Sequence, residues 1–281
     1  MLPRPFIHTF VRRFTQLMRY FTHRMALHAR VVRLAAPICG AVLPLLWVST
    51  AQSQSFCASD GQVQPTALHE RFISAECADC WGATPSVQPG RHALVLDWIV
   101  PSPKGDDAPL SAAATRDALD RIEGLMAQPP SPTHATVHTT QRRPSGLASS
   151  RQRLRLAHGL PFNNYVGTSI RYQASPPAHN RDLVVWQVLV ETIPAGIEGT
   201  PIERNLVRNT LIRHWQQQST LSKSKQFEES DSRPMSIPEG AKAERLRLVG
   251  WIEDASGHVL TATQTKCIVE STRKAKRGKG S

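Results

Sequence analysis

The sequence predicts an α/β (α+β) fold, with a β–α–β core carrying a C-x-x-C pair and a β-rich C-terminal extension. Three observations predict it. Cys77-Ala78-Asp79-Cys80 follows directly on a strand-like run, Leu68 to Ala75, and precedes Trp81. Two strand patterns, His92–Val100 and Thr133–Thr139, bracket a helical one. Beyond residue 160 most patterned segments alternate with period two.

The elements follow in chain order. Arg30 and Arg33 precede an apolar stretch, Leu34 to Val48, that ends in Ser49-Thr50-Ala51. This reads as a signal peptide over 1–51 with cleavage after Ala51 and a true start possible at Met25. A membrane anchor is the competing reading. The stretch is about 15 residues with Pro37 and Pro44 inside it, and a spanning helix needs about 20. Cys39 lacks the small residue before it that a lipoprotein site needs. No stable membrane anchor is therefore expected after cleavage, and the mature chain is expected to be periplasmic or secreted.

Charge supports this division. The chain carries 34 Lys and Arg against 22 Asp and Glu, a formal net charge of +12. Seven of the basic residues lie in 1–51 and five in 273–281 (Arg273, Lys274, Lys276, Arg277, Lys279), which leaves 22 to balance the 22 acids. A nucleic-acid-binding fold needs a basic stripe on the fold itself, so no nucleic-acid partner is expected. Residues 271–281 read as a basic, disordered tail.

Residues 52–160 read as the core and 161–270 as the extension. The first strand is expected over 67–75. Gly82, Pro85, Pro89 and Gly90 leave little room for helix after Cys80. His92–Val100 reads as a buried central strand. Ser111 is the expected cap of a helix running to about Ala127, with Ala114, Ala118, Leu119, Ile122 and Leu125 on one side. Pro129-Pro130-Ser131-Pro132 stops it. Gly146 to His158 is read as a helix. Tyr165–Gln173 and Asp182–Ile193 read as strands, Leu206–Trp215 as strand or helix, and 216–240 as a mobile loop. Arg245–Glu253 and Val259–Ile268 form a hairpin pattern around Asp254-Ala255-Ser256-Gly257.

Cleavage removes Cys39 and leaves Cys57, Cys77, Cys80 and Cys267. An even count in an exported chain reads as two disulfides, with three pairings open. If Cys77 and Cys80 close a local ring, Cys57 and Cys267 remain near the two ends of the mature chain. Chain ends often lie close together, so a structural Cys57–Cys267 disulfide is expected.

These residues resemble a family of secreted bacterial proteins with a thioredoxin-like fold and no settled activity, whose opening strand reads E-L-F-T-S-x-G-C-x-x-C. Glu70, Phe72, Ser74, Cys77 and Cys80 stand at that spacing, and Asp97-Trp98 matches an aspartate and tryptophan after the family's second strand. Asn205-Leu206-Val207-Arg208 is similar to its N-V-V-R, and Gly257 to Ala262 to its late G-x-I-x-x-A. The resemblance implies a thioredoxin-like core with a β-rich C-terminal extension. It also implies that His138-Thr139-Thr140-Gln141 replaces the family's Y-T-P-Q. Thr140 would then stand where a proline faces the dithiol.

Two functions stand on this reading. In the first, Cys77 is an exposed nucleophile and Cys80 the resolving thiol of an oxidoreductase or redox-linked accessory protein of low activity, with a thiol-bearing protein as partner. Glu76 and Asp79 oppose thiolate formation at Cys77. In the second, the pair is a structural disulfide in a non-catalytic binding or scaffold module. A third option adds His69 and His92 to the cysteines as metal ligands. Asp97 is either a buried acid under the dithiol or a strand-end polar residue. Trp81 and Trp98 are core or pocket wall. No cofactor is expected.

Overall fold

Period-two patterning dominates the chain, and it folds accordingly into two β-sheets. The computed structural model describes residues 57–142, 152–174, 181–217 and 227–267. The expected leader 1–51, Cys39, the tail 271–281 and residues 218–226 of the expected loop lie outside them. The strands are β1 (Cys57–Ala58), β2 (Ala67–Ser74), β3 (Ala93–Val100), β4 (Thr136–Gln141), β5 (Arg153–His158), β6 (Tyr165–Ala174), β7 (Arg181–Ile193), β8 (Arg204–Gln217), β9 (Phe227–Ser236), β10 (Leu246–Asp254), β11 (Val259–Gln264) and β12 (Lys266–Cys267). The α-helices among the described residues are α1 (Ala78–Gly82) and α2 (Arg116–Gly124).

The larger sheet runs β11-β10-β7-β8-β3-β2-β4 and the smaller β12-β1-β5-β6-β9. Pairing is antiparallel except between β2 and β3 and between β3 and β8. Segments on both sides of residue 160 contribute to each sheet.

The central strands of the larger sheet are buried on both faces, which is why their apolar runs are continuous rather than alternating. In β7, Leu183, Val185 and Leu189 face the smaller sheet and pack with Leu154, Leu156, Ile170 and Tyr172. Trp186, Val188 and Val190 face the other way, where Phe72, Trp98, Trp251 and the α2 residues Ala118 and Ile122 complete a second core. At β10 the two sheets approach closely. A Cβ on Gly250 would lie 2.8 Å from the Trp186 carbonyl oxygen and 3.1 Å from both Leu156 methyls.

The expected α/β class with a thioredoxin-like core is corrected by this architecture. Such a core layers helices on a small sheet. Here a second β-sheet covers part of one face, and the two described α-helices have only five and nine residues. Gly82 and Pro85 end α1 after little more than a turn. The helix expected from Ser111 begins at Arg116, because Thr115 supplies the cap by accepting from the Ala118 N–H at 3.2 Å. Of the helix expected over 146–158, the described residues 153–158 form β5. Arg153-Leu154-Arg155-Leu156 buries both leucines and exposes both arginines, which only a strand allows. Leu206–Trp215 lies within β8. Residues 227–236 of the expected loop are β9, pairing along β6 from Ala174↔Phe227 to Tyr165↔Ser236. Among the described residues no helix is long and apolar enough to cross a membrane.

Candidate functional site

The C-x-x-C sits on the turn that carries the chain off the end of β2. Cys77 and Cys80 are joined in a disulfide, and Cys57 is joined to Cys267. The Cys77 sulfur caps α1 by accepting from the Cys80 N–H at 3.2 Å. Cys77 is 1% exposed, whereas Cys80 is half-buried. Glu76 is ion-paired with Lys104 at 3.1 Å, which offsets part of its opposition to a Cys77 thiolate; Asp79 is exposed.

Arg204, fully buried on β8, fixes this turn from below. It donates to the carbonyl oxygens of Cys80 (3.2 Å), Trp81 (2.6 Å) and Ala83 (2.8 Å), at the end of the short helix where carbonyls lack an intrahelical partner. Its other bonds go to Thr200 Oγ1 at 3.0 Å and Asp97 Oδ1 at 3.3 Å. Burial pushes the guanidinium below its usual value, Asp97 acts against this, and nearby Arg71 adds to it. Asp97 also accepts from Arg71 Nε at 2.5 Å and from the Asn205 N–H at 3.2 Å. It is buried, as one of the two expectations had it, but it lies in mid-strand rather than at a strand end, and its carboxylate is held by two arginines.

Trp81 forms one wall of a cleft. Its indole N–H donates to the Glu198 carbonyl at 2.7 Å, and its ring lies 5.1 Å from the Arg204 guanidinium carbon. The cleft, of about 220 Å³, is floored by Ile99, Ile193 and Leu206 and walled by Leu110 and Ala113, with Glu198, Arg208 and Glu239 among its lining residues. Arg208 is committed to Glu191, with bonds of 2.8 and 2.6 Å to one carboxylate oxygen. Ile73, Ala75, Cys77 and Trp81 share one apolar cluster with Ile99, Ile193 and Leu206, so the disulfide braces the wall of the cleft without lining it.

On the opposite face of the larger sheet lies a second buried ionic group. Arg121 of α2 bonds Glu70 at 2.8 and 2.7 Å and Glu253 at 2.8 Å, and its guanidinium carbon lies 4.4 Å from the Trp186 ring centroid. Burial acts to lower the Arg121 pKa, but the two glutamates outweigh it and hold it above the usual value. Both indoles donate to Glu253, Trp186 at 3.2 Å and Trp251 at 2.8 Å. All of this group's charges are paired, and it serves to seat α2 on the sheet.

Trp98 is core, stacked 6.0 Å from Phe72. His69 bonds Thr139 at 2.9 Å across β2–β4. Among the described residues the cluster of His, Cys, Asp and Glu close enough to share an ion is Cys57, His158 and Cys267, so His69 and His92 do not join the C-x-x-C as ligands. Thr140 pairs with Leu68, six residues from the Cys77 end of β2 at Ser74, about 20 Å away at 3.3 Å per residue. β4 runs antiparallel to β2, so its start lies nearest the disulfide, and Ala135 packs there. Sequence reasoning missed Arg204 and Arg121. Both stand among other polar residues, Glu203 and Asn205 in one case and Asp120 and Glu123 in the other, so no local signal marks them as buried.

No protein-family model and no curated protein matches the chain. Among solved structures it is similar to HBP35 of Porphyromonas gingivalis, with TM-score 0.39 and 11% identity over 79% of this chain and 81% of that one. A likeness this distant bears on neither fold nor activity. The expected membership of a thioredoxin-like family is overturned by the architecture itself, two β-sheets with two short α-helices among the described residues.

Proposed function

We propose that this protein is an exported, non-catalytic binding module in which the Cys77–Cys80 disulfide braces the wall of an apolar cleft. The observation that carries the reading is the attachment of the C-x-x-C turn. The Cys77 sulfur is buried and spent as a helix cap, and Arg204 bonds three carbonyls behind it. A nucleophilic thiol needs exposure and a thiolate-favouring environment. A five-residue helix supplies little dipole for that purpose. The cleft beside it has an apolar floor and a polar margin, the usual make-up of a ligand site. Its size suits one or two apolar side chains of a partner protein. The two disulfides agree with an oxidising compartment.

Filling the cleft tests this. Anilinonaphthalene sulfonate should bind the native protein and fluoresce. Ala113→Phe, which places a ring between Leu110 and the Trp81 wall, should abolish that signal and leave thermal unfolding intact. Undiminished dye binding in Ala113→Phe would sink the reading. A second reading, a thiol–disulfide oxidoreductase of low activity, is favoured by the half-exposed Cys80, the sulfur an incoming thiolate could reach.

A further inference from the structure

Three side chains line up across three adjacent strands of the smaller sheet. Cys57 on β1 stands directly opposite Cys267 on β12 and directly opposite His158 on β5. Directly opposed residues of antiparallel strands project to the same face, so the register places both sulfurs and the imidazole in one row. One donor atom from each lies within 4.8 Å of the others. Cys57 is 1% and His158 5% exposed, and Cys267 is half-buried at the edge.

The backbone sets the tautomer of His158. Its Nδ1 lies 3.0 Å from the Gly159 carbonyl oxygen, which can only accept, so Nδ1 carries the proton. Nε2 then carries the lone pair of the neutral ring. Nε2 is buried and has no hydrogen-bond partner among the described residues. A histidine whose Nδ1–H is held by a carbonyl while Nε2 faces a metal is the common arrangement in zinc sites.

We propose that Cys57, Cys267 and His158 form a redox-gated site for Zn(II), closed while the disulfide is intact and opened by its reduction. A dithiol reductant attacks the sulfur–sulfur bond and leaves as its own disulfide, delivering two electrons and two protons to Cys57 and Cys267. Zn(II) then binds both sulfurs and His158 and displaces the two thiol protons to solvent. Two thiolates, a neutral imidazole and a divalent ion sum to zero charge, which a buried site tolerates; a monovalent ion would leave a net negative charge. Three protein ligands of the Cys₂His type leave the fourth tetrahedral position for water, on the half-exposed Cys267 side.

The test uses the full chain with Cys39, Cys77 and Cys80 replaced by serine, so that the remaining thiols are Cys57 and Cys267. The protein is reduced with a phosphine and titrated with Zn(II) against a chromophoric chelator, with Co(II) as spectroscopic stand-in. The expected result is one ion per chain in the reduced protein and none in the oxidised protein, with thiolate-to-Co(II) charge-transfer absorption. His158→Ala should weaken binding by more than the roughly 10–100-fold that loss of an outer partner costs. Should reduction unfold the chain, Zn(II) is expected to restore the native near-ultraviolet circular dichroism, since binding is then coupled to folding. Equal binding in oxidised and reduced protein, unchanged affinity in His158→Ala, or failure of Zn(II) to refold a reduced, unfolded chain would each overturn the proposal.

Discussion

Arg204 shows how much of this structure depends on single buried charges. It is fully buried and serves Asp97, Thr200 and three carbonyls at once. Arg204→Ala should lower the unfolding free energy by about 3–5 kcal/mol, the cost of leaving buried partners uncompensated, as read by urea denaturation. Asp231 makes the opposite case. It lies between Arg213 (3.0 Å) and Arg233 (3.1 Å). Burial acts to raise its pKa, but the arginine bonds prevail and hold it below the usual carboxylate value. A depressed folded-state pKa contributes stability that is complete above the unfolded value of about 3.9 and is lost as pH falls through the folded one. Because Arg233 is largely exposed, the contribution should be under about 1 kcal/mol. The stability difference between wild type and Asp231→Asn should therefore hold from neutral pH to about 5 and vanish in stronger acid. At this scale the sequence was half legible. Glu70, Asp97, Asn205 and Arg208 stood out as polar letters inside apolar strands. Their partners did not, because Arg204 reaches back 107 residues to Asp97 and Arg121 reaches 132 forward to Glu253.

Elements were legible where a segment's own pattern decides its structure. β2, β3, β6, β7 and the β10–β11 hairpin follow from apolar runs, alternation and the Asp254–Gly257 turn. They failed where the competing signal was compositional. Residues 227–236 read Phe-Glu-Glu-Ser-Asp-Ser-Arg-Pro-Met-Ser, polar enough for a loop, yet they form an edge strand that buries only Phe227 and Met235. Gly250 is the element-scale test of how the sheets pack. It has no need of a positive φ, and the reason for a glycine there is space. Gly250→Ala should cost about 1–3 kcal/mol through overpacking against Leu156 and the Trp186 carbonyl. Leu156→Ala should recover part of that loss in the double variant, which thermal denaturation of the four-member cycle would read. Strict additivity would contradict the close approach.

At the scale of the whole molecule, the β–α–β reading of the first half was misleading because it was local. β2 and β3 are parallel, as that reading requires. What the pattern could not reveal is that β8, β7, β10 and β11 extend the same sheet and that a second sheet covers part of it. In β7, burial on both faces removes the alternation that would have marked the strand as antiparallel. The Cys57–Cys267 bond, expected from cysteine number and chain ends alone, closes a separation of 210 residues and ties β1 to β12. Replacing both cysteines with alanine should lower stability by up to about 5 kcal/mol in the loop-entropy account, as read by guanidinium denaturation.

The central claim is that the Cys77–Cys80 pair braces a binding cleft and does not turn over. Insulin reduction by dithiothreitol in the presence of the protein, paired with iodoacetamide titration of the reduced form, tests it most directly. The account predicts a rate equal to that of Cys77→Ser/Cys80→Ser and a Cys77 thiol titrating at or above about 8.5. Turnover clearly above that baseline, with a Cys77 pKa below about 7, would contradict it.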